Sequence, residues 1–141
     1  MPEDVRPDPS KVRVEAPAGE NGIMPDNMSS HLLDPKFRAL TPEELSRRIT
    51  DGTAPRIIDV RESFEWDIAH IEGAELMALS EIREWWQALD PEEEIVFYCH
   101  TGRRSASVCA ALAAEGFGNL INLEGGIEAW SLRVDPQVPR Y

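Results

Sequence analysis

Apolar positions along this chain fall into three regimes. From residue 1 to about 36 they are scattered without a period among prolines, glycines and charges. From Phe37 to about residue 133 they form short continuous runs that alternate with helically spaced sets, and over residues 134–141 they are irregular again. The middle stretch predicts elements in turn. Thr41-Pro42-Glu43-Glu44 reads as a helix start, with Thr as N-cap, Pro in the first turn and Glu placed to complete a capping box. Leu45 and Ile49 lie one turn apart and are assigned to its inner face, and Asp51-Gly52 ends it. Arg56 to Val60 reads as a short buried strand, followed by a brief helix over 63–67 and a short strand over 75–77. Ser80 is placed as the cap of a helix whose apolar residues Ile82, Trp85, Trp86 and Leu89 follow one-sided spacing, so both tryptophans are assigned to the core. Ile95-Val96-Phe97-Tyr98 is a continuous apolar run of the kind found in central strands. An alanine-rich helix over 104–115 stops at Gly116. A strand over 120–123 and a helix opened by Gly125-Gly126 and running through Trp130 complete the set.

Strands that alternate with helices predict an α/β domain with a mainly parallel central sheet flanked by helices on both faces. The domain is expected over residues 37–133, with 134–141 as a C-terminal tail. Six of the eleven prolines fall in residues 1–36, which predicts an extended, flexible N-terminal arm there.

Composition narrows the classes. At 141 residues with 42% hydrophobic content, the chain can bury one core without a disulfide scaffold. Two cysteines, Cys99 and Cys109, and no apolar signal-like segment point to a reducing compartment, expected to be the cytoplasm. No apolar run is long enough to cross a bilayer, so no membrane partner is expected. A net charge of −12 argues against nucleic acid, whose phosphates require basic surfaces.

Chemistry concentrates in Cys99-His100-Thr101-Gly102-Arg103-Arg104, between the strongest strand and a well-marked helix. In parallel sheets, ligands gather at the carboxyl ends of the strands, and a helix start adds free N–H groups and partial positive charge. Gly102 permits a tight loop. A thiol beside a helix start and two arginines is favoured as the nucleophilic thiolate. Cys99 is therefore assigned as the catalytic residue, with His100, Thr101, Gly102, Arg103 and Arg104 binding an anionic substrate. Asp59 and Arg61, at a strand end, are assigned a supporting ion-pair role. His70 is read as a structural hydrogen-bonding residue and Cys109 as a buried core thiol. No metal site is expected, because Cys99-His100 has no second ligand pair at a known spacing.

The set Cys99-x-x-Gly102-x-Arg104, Asp59-Val60-Arg61, Glu65-Trp66, His70-Ile71-x-Gly73-Ala74 and Leu123-x-Gly125-Gly126-x-x-x-Trp130 resembles the signatures of rhodanese-like domains, in the order found in that family. The segment 134–141 also resembles the tail of rhodanese domains fused to ubiquitin-like-protein activating enzymes. The resemblance implies a rhodanese-like fold and a thiosulfate sulfurtransferase. Cys99 would take a sulfane sulfur from a donor such as thiosulfate, hold it as a persulfide and pass it to an acceptor. That acceptor is cyanide in assays, and a thiol or sulfur-carrier protein in cells. No cofactor is implied beyond the covalent persulfide, and oligomeric state is left open. Two alternatives stand beside this reading. One is a sulfur-relay or partner-binding module. The other is a Cys-dependent phosphatase, disfavoured because phosphatase loops of this fold follow Cys-x5-Arg, whereas here the spacing is Cys-x4-Arg and Ser105 stands at the longer position.

Overall fold

The computed structural model describes residues 36–141. The expected N-terminal arm, 1–36, lies outside the described residues except for Lys36.

The elements in chain order are β1 (Arg38–Leu40), α1 (Pro42–Asp51), β2 (Arg56–Asp59), α2 (Ser63–Ile68), β3 (Glu75–Leu76), α3 (Ile82–Trp85), β4 (Ile95–Tyr98), α4 (Arg103–Ala114), β5 (Leu120–Leu123) and α5 (Gly126–Arg133). The strands form one parallel sheet in the order β1-β5-β4-β2-β3. β4 is central, and all four of its residues are buried, as its unbroken apolar run requires.

Side chains alternate across the sheet and build two cores. Ile58, Ile95, Phe97 and Cys99 face Val108, Cys109 and Leu112 of α4 together with Trp85 and Leu89. Ile57, Val96, Tyr98, Ile121 and Leu123 face Leu45 of α1 and Ile127 and Trp130 of α5. Helices thus cover both faces, and all the strands deliver their carboxyl ends to the same edge. The predicted capping box opens α1: the Thr41 hydroxyl accepts from the Glu44 N–H at 3.1 Å, and the Glu44 carboxylate accepts from the Thr41 N–H at 2.9 Å.

Three local expectations are corrected. Ile49 is 39% exposed rather than inward, because it lies one turn beyond Leu45, where α1 overhangs a cleft bordered by Ile71, Trp130 and Val138. The segment from Leu79 is not one helix: a 3-10 turn (Leu79–Glu81), a single α turn and a second 3-10 turn (Trp86–Ala88) follow each other. Ser80 does not cap it, since its hydroxyl donates to the Glu62 carboxylate at 2.8 Å. Adjacent residues on an α-helix diverge by about 100°, yet Trp85 and Trp86 both pack on the same core, against Phe97 and Phe117. The Trp85 indole N–H also donates back to the Ala78 carbonyl at 2.8 Å, and the irregular winding accommodates these demands. Finally, β1 was not expected. It is a three-residue edge strand whose register is set by β5, from Arg38 opposite Ile121 to Leu40 opposite Leu123.

The last residues pack onto the domain. Val134 and Val138 join the second core, and the Ser131 hydroxyl donates to the Val138 carbonyl at 2.6 Å. Among the described residues no helix is long and apolar enough to cross a membrane.

Candidate active site

Cys99 follows directly from β4, so the burial that fixes the strand also fixes the thiol at the carboxyl end of the sheet. The chain then turns through His100, Thr101 and Gly102 before α4 begins at Arg103. Gly102 makes the turn at φ +102°, a conformation side chains disfavour. The cysteine is only 1% exposed. Its Sγ accepts from the Gly102 N–H at 3.1 Å and the Ser105 N–H at 3.4 Å. The start of α4 therefore faces the sulfur, and its free amide donors form the cradle that the sequence led us to expect.

A second helix start holds the loop from behind. The Cys99 carbonyl accepts from the Ile127 N–H at 2.9 Å and the His100 carbonyl from the Glu128 N–H at 3.0 Å, both in the first turn of α5. With these carbonyls drawn towards α5, the loop is left to present amides to the sulfur. The approach is so close that a Cβ at Gly126, whose φ is +61°, would lie 2.5 Å from both carbonyl oxygens. This gives a physical reason for the second glycine of the pair, far along the chain.

Two residues with no role assigned from sequence complete the cradle. The Ser105 hydroxyl lies 3.5 Å from Sγ but 2.6 Å from Asn122 Oδ1. A hydroxyl has one proton, and the shorter contact takes it. Asn122 Nδ2 in turn donates to the Gly102 carbonyl at 3.2 Å, so β5 pins the turn through its side chain. Ser105 had a local signal, its place in the first turn after the loop. Asn122 had none, because strand order alone brings it there.

The arginines divide. Arg104 makes a bidentate pair with Glu65 of α2, at 2.8 and 2.9 Å, and so braces the loop. The Arg104 guanidinium holds the Glu65 carboxyl well below its usual range, at about 2. Arg103 is exposed and makes no ion pair or side-chain hydrogen bond among the described residues. Thr101 is exposed on the rim, and His100 is half-buried with Nε2 3.7 Å from Glu128 Oε1. Glu65 belonged to a recognised sequence signature without an assigned task; its partner lies 39 residues away.

Asp59 and Arg61 form a fully buried pair. The Asp59 carboxylate accepts from Arg61 Nε at 3.0 Å, from Nη2 at 2.7 Å and from the Arg61 backbone N–H at 2.9 Å. Arg61 also donates to the Ala69 carbonyl, and through Nη1 to the Tyr141 hydroxyl at 2.7 Å. The pair supports the strand ends and does not contact the sulfur. His70 Nδ1 donates to the Trp66 carbonyl at 3.0 Å, and the ring stacks on the Trp66 ring. Cys109 is buried in the first core, and burial pushes its thiol up to about 12. Among the described residues no group of three or more His, Cys, Asp or Glu is arranged to hold a metal ion.

Comparison with known proteins agrees with this geometry. The family model described as rhodanese-like domain matches residues 41–133. A Mycobacterium tuberculosis protein named "Probable adenylyltransferase/sulfurtransferase MoeZ" is 40% identical over 108 residues, which cover 75% of this chain and 28% of that protein. The chain thus corresponds to little more than a quarter of that relative. A protein of Allochromatium vinosum named "Sulfurtransferase" is 33% identical over 89 residues, covering 63% of this chain and 83% of that one. The crystal structure of a rhodanese-like domain protein from Staphylococcus aureus aligns with a TM-score of 0.63 at 28% identity, over 74% of this chain and 98% of that chain. A parallel sheet of this order, a cysteine held by amides at the start of α4, and a match running from the α1 cap through α5 place the chain in the rhodanese-like domain family.

Proposed function

We propose that this protein is a sulfurtransferase that carries sulfur as a persulfide on Cys99. The observation that carries the reading is the pair of amides, Gly102 and Ser105, aimed at a buried cysteine sulfur at 3.1 and 3.4 Å. Such donors stabilise negative charge on or just beyond that sulfur.

In the first half-reaction the Cys99 thiolate attacks the outer sulfur of thiosulfate. A new S–S bond forms, the donor's S–S bond breaks, and its electron pair leaves with sulfite. The enzyme then holds Cys99–S–S⁻. In the second half-reaction an acceptor attacks the terminal sulfur, and the S–S bond of the persulfide breaks, its electron pair returning to Cys99 as the thiolate. Cyanide yields thiocyanate, and a thiol yields its own persulfide. Two covalent half-reactions predict ping-pong kinetics. Arg103 supplies positive charge for the anionic donor, while Arg104 is already engaged by Glu65 and serves to brace the loop. That engagement, with Ser105 at the position where a phosphatase loop carries its arginine, disfavours phosphate as substrate. Relatives named as sulfurtransferases support sulfur transfer in general. The cellular acceptor on this reading is a thiol or a sulfur-carrier protein.

The test is an intact mass after thiosulfate treatment of the reduced protein. A gain of one sulfur atom is expected, absent in Cys99→Ser and retained in Cys109→Ser. No gain, together with hydrolysis of an aryl phosphate, would reject the proposal.

A further inference from the structure

Tyr141 lies far from Cys99 in sequence, yet it makes three contacts around the loop, one of them on the loop itself. Its hydroxyl accepts from Arg61 Nη1 at 2.7 Å and donates to Glu65 Oε2 at 2.8 Å. Its ring lies flat on the His100 ring, with centroids 4.1 Å apart and planes 11° from parallel. The segment that carries it is fastened independently: Arg140 pairs with Glu128 at 2.7 Å, and Val138 is anchored by the Ser131 hydroxyl.

The hydroxyl and the ring do different things. The hydroxyl completes a hydrogen-bonded series that runs Asp59, Arg61, Tyr141, Glu65, Arg104 and ends on the catalytic loop. That is a bracing role. The ring covers His100, the residue directly after Cys99. The Tyr141 hydroxyl and Arg104 Nη2 both donate to Glu65 Oε2, at 2.8 and 2.9 Å, so the tyrosine stands beside the arginine at the start of α4. With Cys99 only 1% exposed, the approach to the sulfur is narrow.

We propose that Tyr141 is a specificity-determining residue, its ring walling one side of the mouth over Cys99 through its stack on His100 and limiting the girth of the acceptor that reaches the sulfur. As a statement about sulfur acceptors this rests on the sulfurtransferase reading; as a statement about access to Cys99 it does not. A slender acceptor such as cyanide passes with the wall in place. A branched thiol is impeded.

The test uses the full 141-residue chain as wild type, Tyr141→Ala, Tyr141→Phe and His100→Ala. Alkylation of Cys99 is followed by mass of its peptide with two electrophiles, iodoacetamide and the bulky fluorescein maleimide. Dividing one rate by the other cancels any change in the thiolate fraction, which a merely structural effect on the loop would alter. Tyr141→Ala is expected to raise the bulky-to-small ratio about tenfold, the scale on which pocket shape discriminates. Tyr141→Phe keeps the ring and is expected to leave the ratio unchanged although it loses the bridge between Arg61 and Glu65. His100→Ala removes the other half of the stack without touching that bridge and is expected to shift the ratio in the same direction. It also decides the matter should Tyr141→Ala fail to fold. In the transfer assay, Tyr141→Ala is expected to raise kcat/KM for glutathione relative to cyanide by a similar factor. Unchanged ratios in the folded alanine variants, or a Tyr141→Phe shift as large as that of Tyr141→Ala, overturn the proposal. If thiosulfate loads no sulfur on wild type, the sulfurtransferase reading falls, while the alkylation ratios still judge the wall.

Discussion

Gly126→Ala tests how the Cys99 loop is held. At φ +61° an alanine adopts a left-handed conformation that costs about 1–2 kcal/mol. Its Cβ would also meet the Cys99 and His100 carbonyl oxygens at 2.5 Å, and both are backbone atoms that cannot swing aside. Overpacking of this kind adds about 1–3 kcal/mol. The expected loss is therefore about 2–5 kcal/mol, from a domain whose total stability is expected to be about 5–15 kcal/mol. The variant should still fold, and the strain should be relieved by pushing the loop away from α5. That movement weakens the Ile127 and Glu128 amide bonds that orient the cradle. A displacement near 1 Å at a catalytic group costs on the order of 100-fold in rate. Gly116→Ala isolates the conformational part, since its φ is +100° but an added Cβ meets nothing within 4 Å. The assay is urea denaturation of both variants beside thiosulfate:cyanide turnover. Gly116→Ala should lose about 1–2 kcal/mol and keep wild-type turnover. Equal stability losses in the two variants, with turnover unchanged in Gly126→Ala, would refute the argument that α5 positions the Cys99 loop.

Three further outcomes are expected. Glu65 has its carboxyl lowered from 4.5 to about 2 by the Arg104 pair, so its contribution is present above pH 4.5 and is lost as pH falls through about 2; the shift corresponds to at most about 3 kcal/mol. Glu65→Gln should therefore flatten the fall in stability across that window, and an unchanged slope in acid denaturation contradicts the assignment. Asp59→Asn leaves the Arg61 guanidinium, fully buried, without its counter-charge, and should cost about 3–5 kcal/mol in chemical denaturation, against about 1 kcal/mol for the cap variant Thr41→Ala. Similar losses in the two would show that the pair is not the support described. Because burial pushes the Cys109 thiol up to about 12, iodoacetamide at about pH 8 should label Cys99 in the folded protein and leave Cys109 unlabelled until denaturant is added, as peptide masses will record.

Features encoded by neighbouring residues were legible in the sequence. The capping box needs only Thr41 and Glu44, and the strand from Ile95 to Tyr98 needs only its run of apolar side chains. The Cys99 loop is likewise local: a strand end, a glycine and a helix start suffice to predict amides around a sulfur. The segment after Leu79 was misread although its apolar spacing was correct. Spacing records which residues seek the core, while two adjacent indoles packing on one core decided the winding.

The amino-acid sequence by itself determined the α/β class, the strand that delivers Cys99 and the loop that cradles its sulfur, because each follows from contacts within a few residues. Only the tertiary structure decided what holds that loop. Strand order placed Asn122 under Gly102, α5 behind the Cys99 carbonyl, Glu65 against Arg104 and Tyr141 over His100. These partners are distant along the chain, and no local pattern records them. They meet because a parallel sheet gathers the ends of all its strands, and the segments that follow them, at one edge.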